Sequence, residues 1–329
     1  MHSLWESHPV SITIMDSYAY AHTVVNTSII QGVNAPSGSE EICPSIRGGL
    51  MSDGSYSTEV ISGGYLPIDE EASVRANRSY WDNSAEEYLA EHGSFLGASD
   101  FMWCPEGIHE SDVHLLGDVA RRQILEVGCG AGQCSRWLAE EGAIATGVDL
   151  SAGMLEQASR LQRENPLSAE ATPPTFVRAD ARSLPFASNS FDIAFSAYGA
   201  LPFVKDAEVV LAEVARVVRP GGKWVFSTTH PMRWMFPDVP GESGLTVEYS
   251  YFDRTPYVEI GADGQPVYAE HHRTMGDWVS LLVAAGFRID SVTEPEWPES
   301  NQTAWGGWSP LRGALMPGTV IFSTTLPDA

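Results

Sequence analysis

A glycine run and two carboxylates recur at intervals suited to holding a nucleoside-bearing ligand. In ILEVGCGAGQCSRWLA (124–139) an apolar run enters Gly128-Cys129-Gly130-Ala131-Gly132 and leaves with helical spacing. Glycines there allow a sharp turn and a close approach of ligand to backbone. The N-terminus of the following helix offers unpaired N–H groups and a positive dipole end to a carboxylate or phosphate. Gln133 fills the slot where a GxGxxG fingerprint needs its last glycine, so a nicotinamide dinucleotide is disfavoured. The next apolar run, ATGVDLS (145–151), ends at Asp149, 19 residues beyond Gly130, where a carboxylate accepts from ribose hydroxyls. Asp149 also suits a helix cap, and the two roles are compatible. In FVRADARSLPF (176–186), Asp180 suits an adenine amino group and the Ala181 N–H its ring; a turn is the structural alternative for Asp180. FDIAFSAYGALPFV (191–204) brings Ser196-Ala197-Tyr198 to the same crevice.

These residues need strand ends to carry them, and the pattern supplies strands. Strands are expected at 122–127, 144–149, 175–179, 191–197 and 223–229, with helices at 133–142, 153–164 and 205–218. This alternation predicts an α/β fold, a parallel sheet with helices on both faces. A helix at 274–285 and strands at 287–294 and 319–325 close the chain, the last two forming an antiparallel edge. Upstream, 74–92 has helical spacing, with Tyr80, Trp81, Ala85, Tyr88 and Leu89 near one face and Gly93 as its stop. A short helix is expected over 109–119.

Two segments stand outside this rhythm. Residues 1–72 carry 9 acidic residues against one basic, Arg47, and no sustained period. They read as a disordered or loosely attached extension, with VSITIM (10–15) as an isolated strand. Arg47-Gly48-Gly49 is how a purine-rich ribosome-binding site reads when translated, so residues 1–50 are expected to be absent from a native protein starting at Met51. The stretch 231–272 is too long for an ordinary connection and is rich in aromatics. TVEYSYF (246–252) and PVYAEHH (266–272), joined through Asp263-Gly264, read as a hairpin covering an apolar or aromatic acceptor. Packing on the sheet or on a second subunit is the alternative.

ILEVGCGAG, GVDLS, ADARSLPF, SFDIAFS and VARVVRPGGKWVFST resemble the class I S-adenosylmethionine-dependent methyltransferases, in their small-molecule, type 11-like branch. The motifs span about residues 120–230. The resemblance implies a seven-stranded Rossmann-like, mostly parallel sheet with an antiparallel last strand, an N-terminal helical cap (73–119) and a methyltransferase domain (120–329) with a lid insertion (231–272). It implies S-adenosyl-L-methionine as cofactor, with Gly128, Cys129, Gly130 and Gly132 along the methionine moiety. Asp149 and Leu150 would meet the ribose, Asp180 and Ala181 the adenine, and Ala197 the same crevice. Glu126 would orient the loop or bind the amino group. SYWDNSAEEYLAEHG and FMWCPEG (101–107) resemble the cap of a subset of these enzymes, which would bring Tyr80, Trp81, Tyr88 and Trp103 to the sulfonium or carboxylate end. Core packing is the alternative for each ring.

Methyl transfer from a sulfonium is an in-line displacement in which the protein aligns donor and acceptor and keeps water out. A hydroxyl or protonated amine must also lose a proton, for which histidine is the usual base. His230 follows the strand at 223–229, and His272 opens the helix after the insertion; capping or a lid hydrogen bond is the structural alternative. Tyr198 is the third catalytic candidate, as a hydrogen bond to the acceptor. The Asp/Asn-Pro-Pro-aromatic tetrad of amino methylases acting on nucleic acids is missing at 196–199, as is a carboxylate set for a metal-dependent catechol site.

Composition points the same way. With 19 Lys+Arg against 43 Asp+Glu, a net charge of -24 disfavours nucleic acid and anionic membrane surfaces. The longest apolar runs fall short of a bilayer span. The four cysteines make neither a disulfide framework nor a metal site, and the N-terminus lacks a secretory pattern. The expectation is a cytoplasmic enzyme with a small-molecule acceptor, no metal, no nucleic-acid or membrane partner, and a homodimer as one state; the alternatives are a protein or quinone-type methyltransferase and a non-catalytic S-adenosylmethionine-binding scaffold.

Overall fold

The structure, a computed structural model, describes residues 60–328. The expectations for 10–15 and for a start at Met51 lie outside these residues. Strand β1 (Val60–Tyr65) leads to helix α1 (Glu70–Leu96). Asp69 caps α1 by accepting from the Ala72 N–H at 2.8 Å, and Glu70 and Glu71 favour the positive end of its dipole. Then come α2 (Glu110–Val113), β2 (Gln123–Val127), α3 (Gln133–Glu140) and β3 (Ile144–Asp149). They are followed by α4 (Ala152–Glu164), β4 (Thr175–Arg178), β5 (Phe191–Ala197), α5 (Ala207–Val217) and β6 (Val218–Thr229). The insertion holds β7 (Tyr257–Gly261) and β8 (Pro266–Glu270). The chain closes with α6 (Met275–Ala284), β9 (Arg288–Thr293), α7 (Pro310–Gly313) and β10 (Thr319–Thr325).

The expected seven-stranded sheet is present, in the order β4-β3-β2-β5-β6-β10-β9. Strands β2 to β6 run parallel, and β10 is antiparallel to both β6 and β9. Strand alternation sends Leu125 and Val127 to a face covered from α5 and α6 by Val210, Leu211, Val214, Trp278 and Leu282. Ile124 turns to the other face, against Phe101, Trp103 and Leu138. Both faces are therefore dry, which is why these strands read as continuous apolar runs. The strand order reverses between β2 and β5, and a crevice opens there at the carboxyl ends of the strands.

Above that crevice sit α1 and a second, three-stranded antiparallel sheet, β1-β7-β8. The buried Asn77 ties α1 down. Its Nδ2 donates to the carbonyls of Phe203 and Ala269 at 2.9 and 3.0 Å, and its Oδ1 accepts from the Ala269 N–H at 2.9 Å. At about 1 kcal/mol net each, these bonds fix the height of the helix over the crevice.

Four expectations need correction. Residues 60–72 are not a loose extension: 60–65 form β1, which pairs with β7, and 70–72 open α1. Gly93 does not stop α1; the helix absorbs it at a cost of about 1 kcal/mol and ends at Gly97. The upstream arm of the hairpin is 257–261, because the Gly261–Gln265 turn fixes the residues that flank it. Residues 246–252 instead make a turn whose Glu248 and Tyr249 N–H groups donate to Met235 O. The helix expected over 109–119 spans only Glu110–Val113.

Candidate functional site

A cavity of about 270 Å³ lies over the crevice, and a smaller cleft of about 70 Å³ adjoins it. Trp81, Gly128, Asp149, Gly199 and Phe203 line both. Glycine is required where β2 and β5 diverge. Gly128 has φ +75, and a Cβ there would stand 2.7 Å from Gly199 O; a Cβ on Gly199 would stand 2.7 Å from the Gly128 carbonyl carbon. The two backbones touch, and the loop is held open at the cleft.

Asp149 closes the loop from β3. Its Oδ2 accepts from the Gly130 N–H and its Oδ1 from the Ser151 N–H, both at 2.8 Å. A carboxylate has about four lone-pair sites, so two remain for a diol. Glu126 lies at the end of β2, where its Oε2 accepts from the Ser135 N–H at 3.0 Å and from the Ser135 hydroxyl at 2.5 Å. Burial pushes its carboxyl up to about 8, further than the Ser135 bonds pull it down, and the nearby Asp149 adds to the rise. Gln133, the first residue of α3, lines the cavity with a buried Nε2 that has no hydrogen-bond partner. A buried donor left open toward a cavity fits an anionic ligand group. Sequence reasoning named Gln133 only as a failed glycine; its place in the first turn after the loop was the available signal.

The smaller cleft gathers Leu150, Asp180, Ala181 and Arg182. Asp180 is already engaged: its Oδ1 takes Arg182 Nε at 3.1 Å and its Oδ2 takes Nη2 at 2.7 Å, while Arg182 also pairs with Glu70 of α1. A ligand amine must share Asp180 with that guanidinium.

The larger cavity continues past the loop into an aromatic chamber. Ala197, Tyr198, Cys129, Tyr88, Trp103, Tyr268, Trp305 and Trp308 line it. Tyr88 packs edge-on to Trp81 at 5.4 Å, and His92 stacks on Trp305 at 4.0 Å. Trp103 is fully buried; its indole donates to Glu110 Oε2 at 2.9 Å and packs on Phe101 and Phe195, so it builds the wall as core. Tyr80 lies outside this lining, 4.8 Å from Tyr268. Gly132 shapes the loop without lining the cavity. Tyr198 holds a positive φ of 59°, a strained backbone state for a bulky residue and one that recurs at functional sites. Thr319 spends its proton on Glu106 Oε2 at 2.6 Å, so the Tyr198 hydroxyl donates to Thr319 Oγ1, also at 2.6 Å. The Tyr198 oxygen thereby keeps accepting capacity. Glu106 itself is buried, with Oε1 unpartnered and its carboxyl pushed up by burial.

Neither expected histidine lines this cavity. His230 Nδ1 accepts from the Met232 N–H at 3.1 Å, so Nε2 carries the proton and donates to Glu294 Oε1 at 2.8 Å. Burial lowers its pKa despite that carboxylate. His272 Nε2 donates to Tyr251 O at 2.8 Å, and the ring sits between Trp234 and Tyr251 in a separate groove. Both follow elements that reach the crevice, but their rings turn to structural partners. Neither ring is placed against this cavity, where a base for the acceptor was expected.

The model of a methyltransferase domain matches residues 125–226. An S-adenosylmethionine-dependent methyltransferase from Mesorhizobium loti, of known structure, is 31% identical with a TM-score of 0.53; the match covers 68% of this chain and all of that one. The chain belongs to the class I S-adenosylmethionine-dependent methyltransferases. A malonyl-[acyl-carrier protein] O-methyltransferase from Pseudescherichia vulneris is 37% identical over 34% of this chain and 41% of its own length. A demethylmenaquinone methyltransferase from Beutenbergia cavernae is 28% identical over 63% of this chain and 81% of its own. The chain spans less than half the length of the first curated relatives it matches. S-adenosylmethionine is the family's cofactor, and the residues here fit it. Asp149 has lone pairs for a ribose diol, Gln133 has a free donor for the methionine carboxylate, and Glu126 has a carboxyl for the ammonium. Among the described residues, no group of His, Cys, Asp and Glu could hold a metal ion, and no helix is long and apolar enough to cross a membrane.

Proposed function

We propose that this protein transfers the methyl group of S-adenosylmethionine to an O, N or C atom of a small acceptor bound in the aromatic chamber. The observation that carries this reading is the shared wall. The cleft with Asp149, Asp180 and Ala181 and the chamber with Tyr88, Tyr198 and Tyr268 meet at Trp81, Gly128 and Phe203. A donor spanning both would leave its sulfonium facing the chamber, among rings that attract a cation by roughly 0.5–2 kcal/mol. The match to the malonyl-[acyl-carrier protein] O-methyltransferase covers 34% of this chain, and the demethylmenaquinone methyltransferase is 28% identical, so their acceptors do not transfer to this chain.

Calorimetry with S-adenosylmethionine and adenosylhomocysteine tests the donor site, and labelled donor with a metabolite extract tests transfer. Absence of binding by both ligands overturns the reading. Binding without any labelled product would leave a non-catalytic binder in its place. Asp149→Ala is expected to weaken both ligands by about 10- to 100-fold, since it removes charge-assisted bonds to the ribose and frees the Gly130 N–H. Equal affinity in the variant would remove Asp149 from the site.

Tyr198 is proposed to hold the reacting atom of the acceptor. Its proton is committed to Thr319, so its oxygen accepts from an acceptor O–H or N–H. Tyr198→Phe is expected to lower kcat about 10- to 100-fold with donor affinity unchanged, the scale of a lost positioning bond. An unaltered kcat would assign the hydroxyl to structure alone.

A further inference from the structure

The chamber offers an acceptor one enclosed carboxylate that the donor does not use. Asp100, Glu126, Asp149 and Glu270 line the cavity, and no Lys, Arg or His does, among the described residues. Asp149 and Glu126 serve the donor, and Asp100 is the outlying one: its side chain is 35% exposed and its Oδ1 takes the Phe101 N–H at 2.7 Å and His109 at 3.1 Å. Glu270 remains. It ends β8, enclosed on the chamber side, with Oε1 accepting from the Tyr268 hydroxyl. Arg233 does not line the chamber: it forms its ion pair with Asp238 and lies 3.7 Å over the Trp308 ring, although its charge still acts on Glu270 and lowers the carboxyl against the rise from burial. The walls are the faces and edges of Tyr88, Tyr268, Trp305 and Trp308. Aromatic walls with an enclosed carboxylate, and no cation among the lining residues, attract a cation and repel an anion.

From this arrangement we propose that the acceptor is an amine carried on an apolar or aromatic body, bound through its ammonium to Glu270. The inference rests on the methyl-transfer reading above and names its substrate class. The ammonium gives one proton to the Glu270 carboxylate, which frees the nitrogen lone pair. The nitrogen then forms a bond to the methyl carbon, and the carbon–sulfur bond breaks with its electron pair on sulfur. The products are an N-methylated ammonium and adenosylhomocysteine, with one proton left on Glu270 for release to solvent. Burial holds the Glu270 carboxyl above its usual range, which suits a group that must take a proton from an ammonium.

The test is titration of the adenosylhomocysteine-loaded protein with three probes sharing one aromatic body: 2-phenylethylamine, 2-phenylethanol and 3-phenylpropionate. The amine is expected to bind about 10- to 100-fold tighter than the alcohol, the range for a hydrogen bond to a charged group, and the carboxylate weakest. Glu270→Gln is expected to abolish the amine's advantage while leaving the alcohol and adenosylhomocysteine unchanged. Equal binding of amine and alcohol, tighter binding of the carboxylate, or no binding of the amine overturns the proposal. The three-probe comparison on the unsubstituted protein decides it even where the variant misfolds. Failure of adenosylhomocysteine to load is a separate result, and it overturns the methyltransferase reading instead.

Discussion

Gly199→Ala is expected to abolish measurable binding of adenosylmethionine and to destabilise the fold by about 3 kcal/mol, the upper part of the range for an overpacked site. The added methyl would stand 2.7 Å from the carbonyl carbon of Gly128 and 2.9 Å from its Cα. Both are backbone atoms, so no rotamer relieves the clash. Gly128 cannot retreat either: its own φ is +75, and its N–H donates to Val148 O at 2.9 Å. The strand ends must separate, or the glycine loop must lift from β3. Lifting the loop breaks the 2.8 Å bond from Gly130 to Asp149 and moves the backbone that a ligand would approach. Thermal unfolding and calorimetry read the two effects separately. A variant with wild-type affinity and Tm would show that the β2–β5 contact is slack. Gly142→Ala is the control of the opposite kind: its φ is +82°, but nothing lies within 4 Å of its Cβ. It should cost about 1 kcal/mol of stability and leave binding intact.

That glycine pair shows what a sequence can and cannot disclose here. Gly128 stands in a run that announces a turn after an apolar strand, so its role is local and legible. Gly199 has no such setting, because its requirement comes from a backbone far along the chain. The same distinction sorts the rest of the fold. The sheet strands and the helices between them are legible from periods of 2 and 3.6, and the carboxylates at strand ends follow from them. VISGGY (60–65) has no alternation and two glycines; only pairing with β7 makes it a strand. TVEYSYF alternates like a strand, yet its backbone is satisfied by Met235 O and a turn. His230 and His272 illustrate the limit at the site. Chain position brings a residue to the crevice, but the direction of its ring depends on partners such as Glu294, 64 residues away. Glu270 left a weak trace: it shares a strand face with Tyr268, two residues earlier, so an aromatic and an acid point the same way.

The pH dependence of donor binding is expected to be set by Glu126. Burial and Asp149 raise its carboxyl from 4.5 to about 8 in the free protein, so near pH 7 it is mostly protonated. An ammonium placed against it favours the ionised form, so binding must expel that proton. Affinity for adenosylhomocysteine, which carries the ammonium, should therefore rise about tenfold per pH unit up to about pH 8 and then level off. Close to one proton should be released near pH 7, measurable as a binding enthalpy that changes with the ionisation enthalpy of the buffer. 5′-Methylthioadenosine lacks the ammonium and should bind with no such slope. Glu126→Gln keeps an acceptor for Ser135 but has no proton to expel. Its affinity should be flat with pH, about 10- to 100-fold below wild type at about pH 8 and converging on wild type toward pH 6. A flat profile in the wild type would overturn the assignment of Glu126 to the ammonium. Stability should run the other way. Because the folded pKa is raised, the stabilisation is fully present below about 4.5 and is lost as pH rises through about 8. The ligand-free protein should unfold more readily at about pH 9 than at about pH 6, by a few kcal/mol at about 1.4 per pKa unit. Saturating adenosylhomocysteine should remove that dependence, because Glu126 is then ionised in both the ligand-bound folded state and the unfolded chain between about pH 6 and about pH 9.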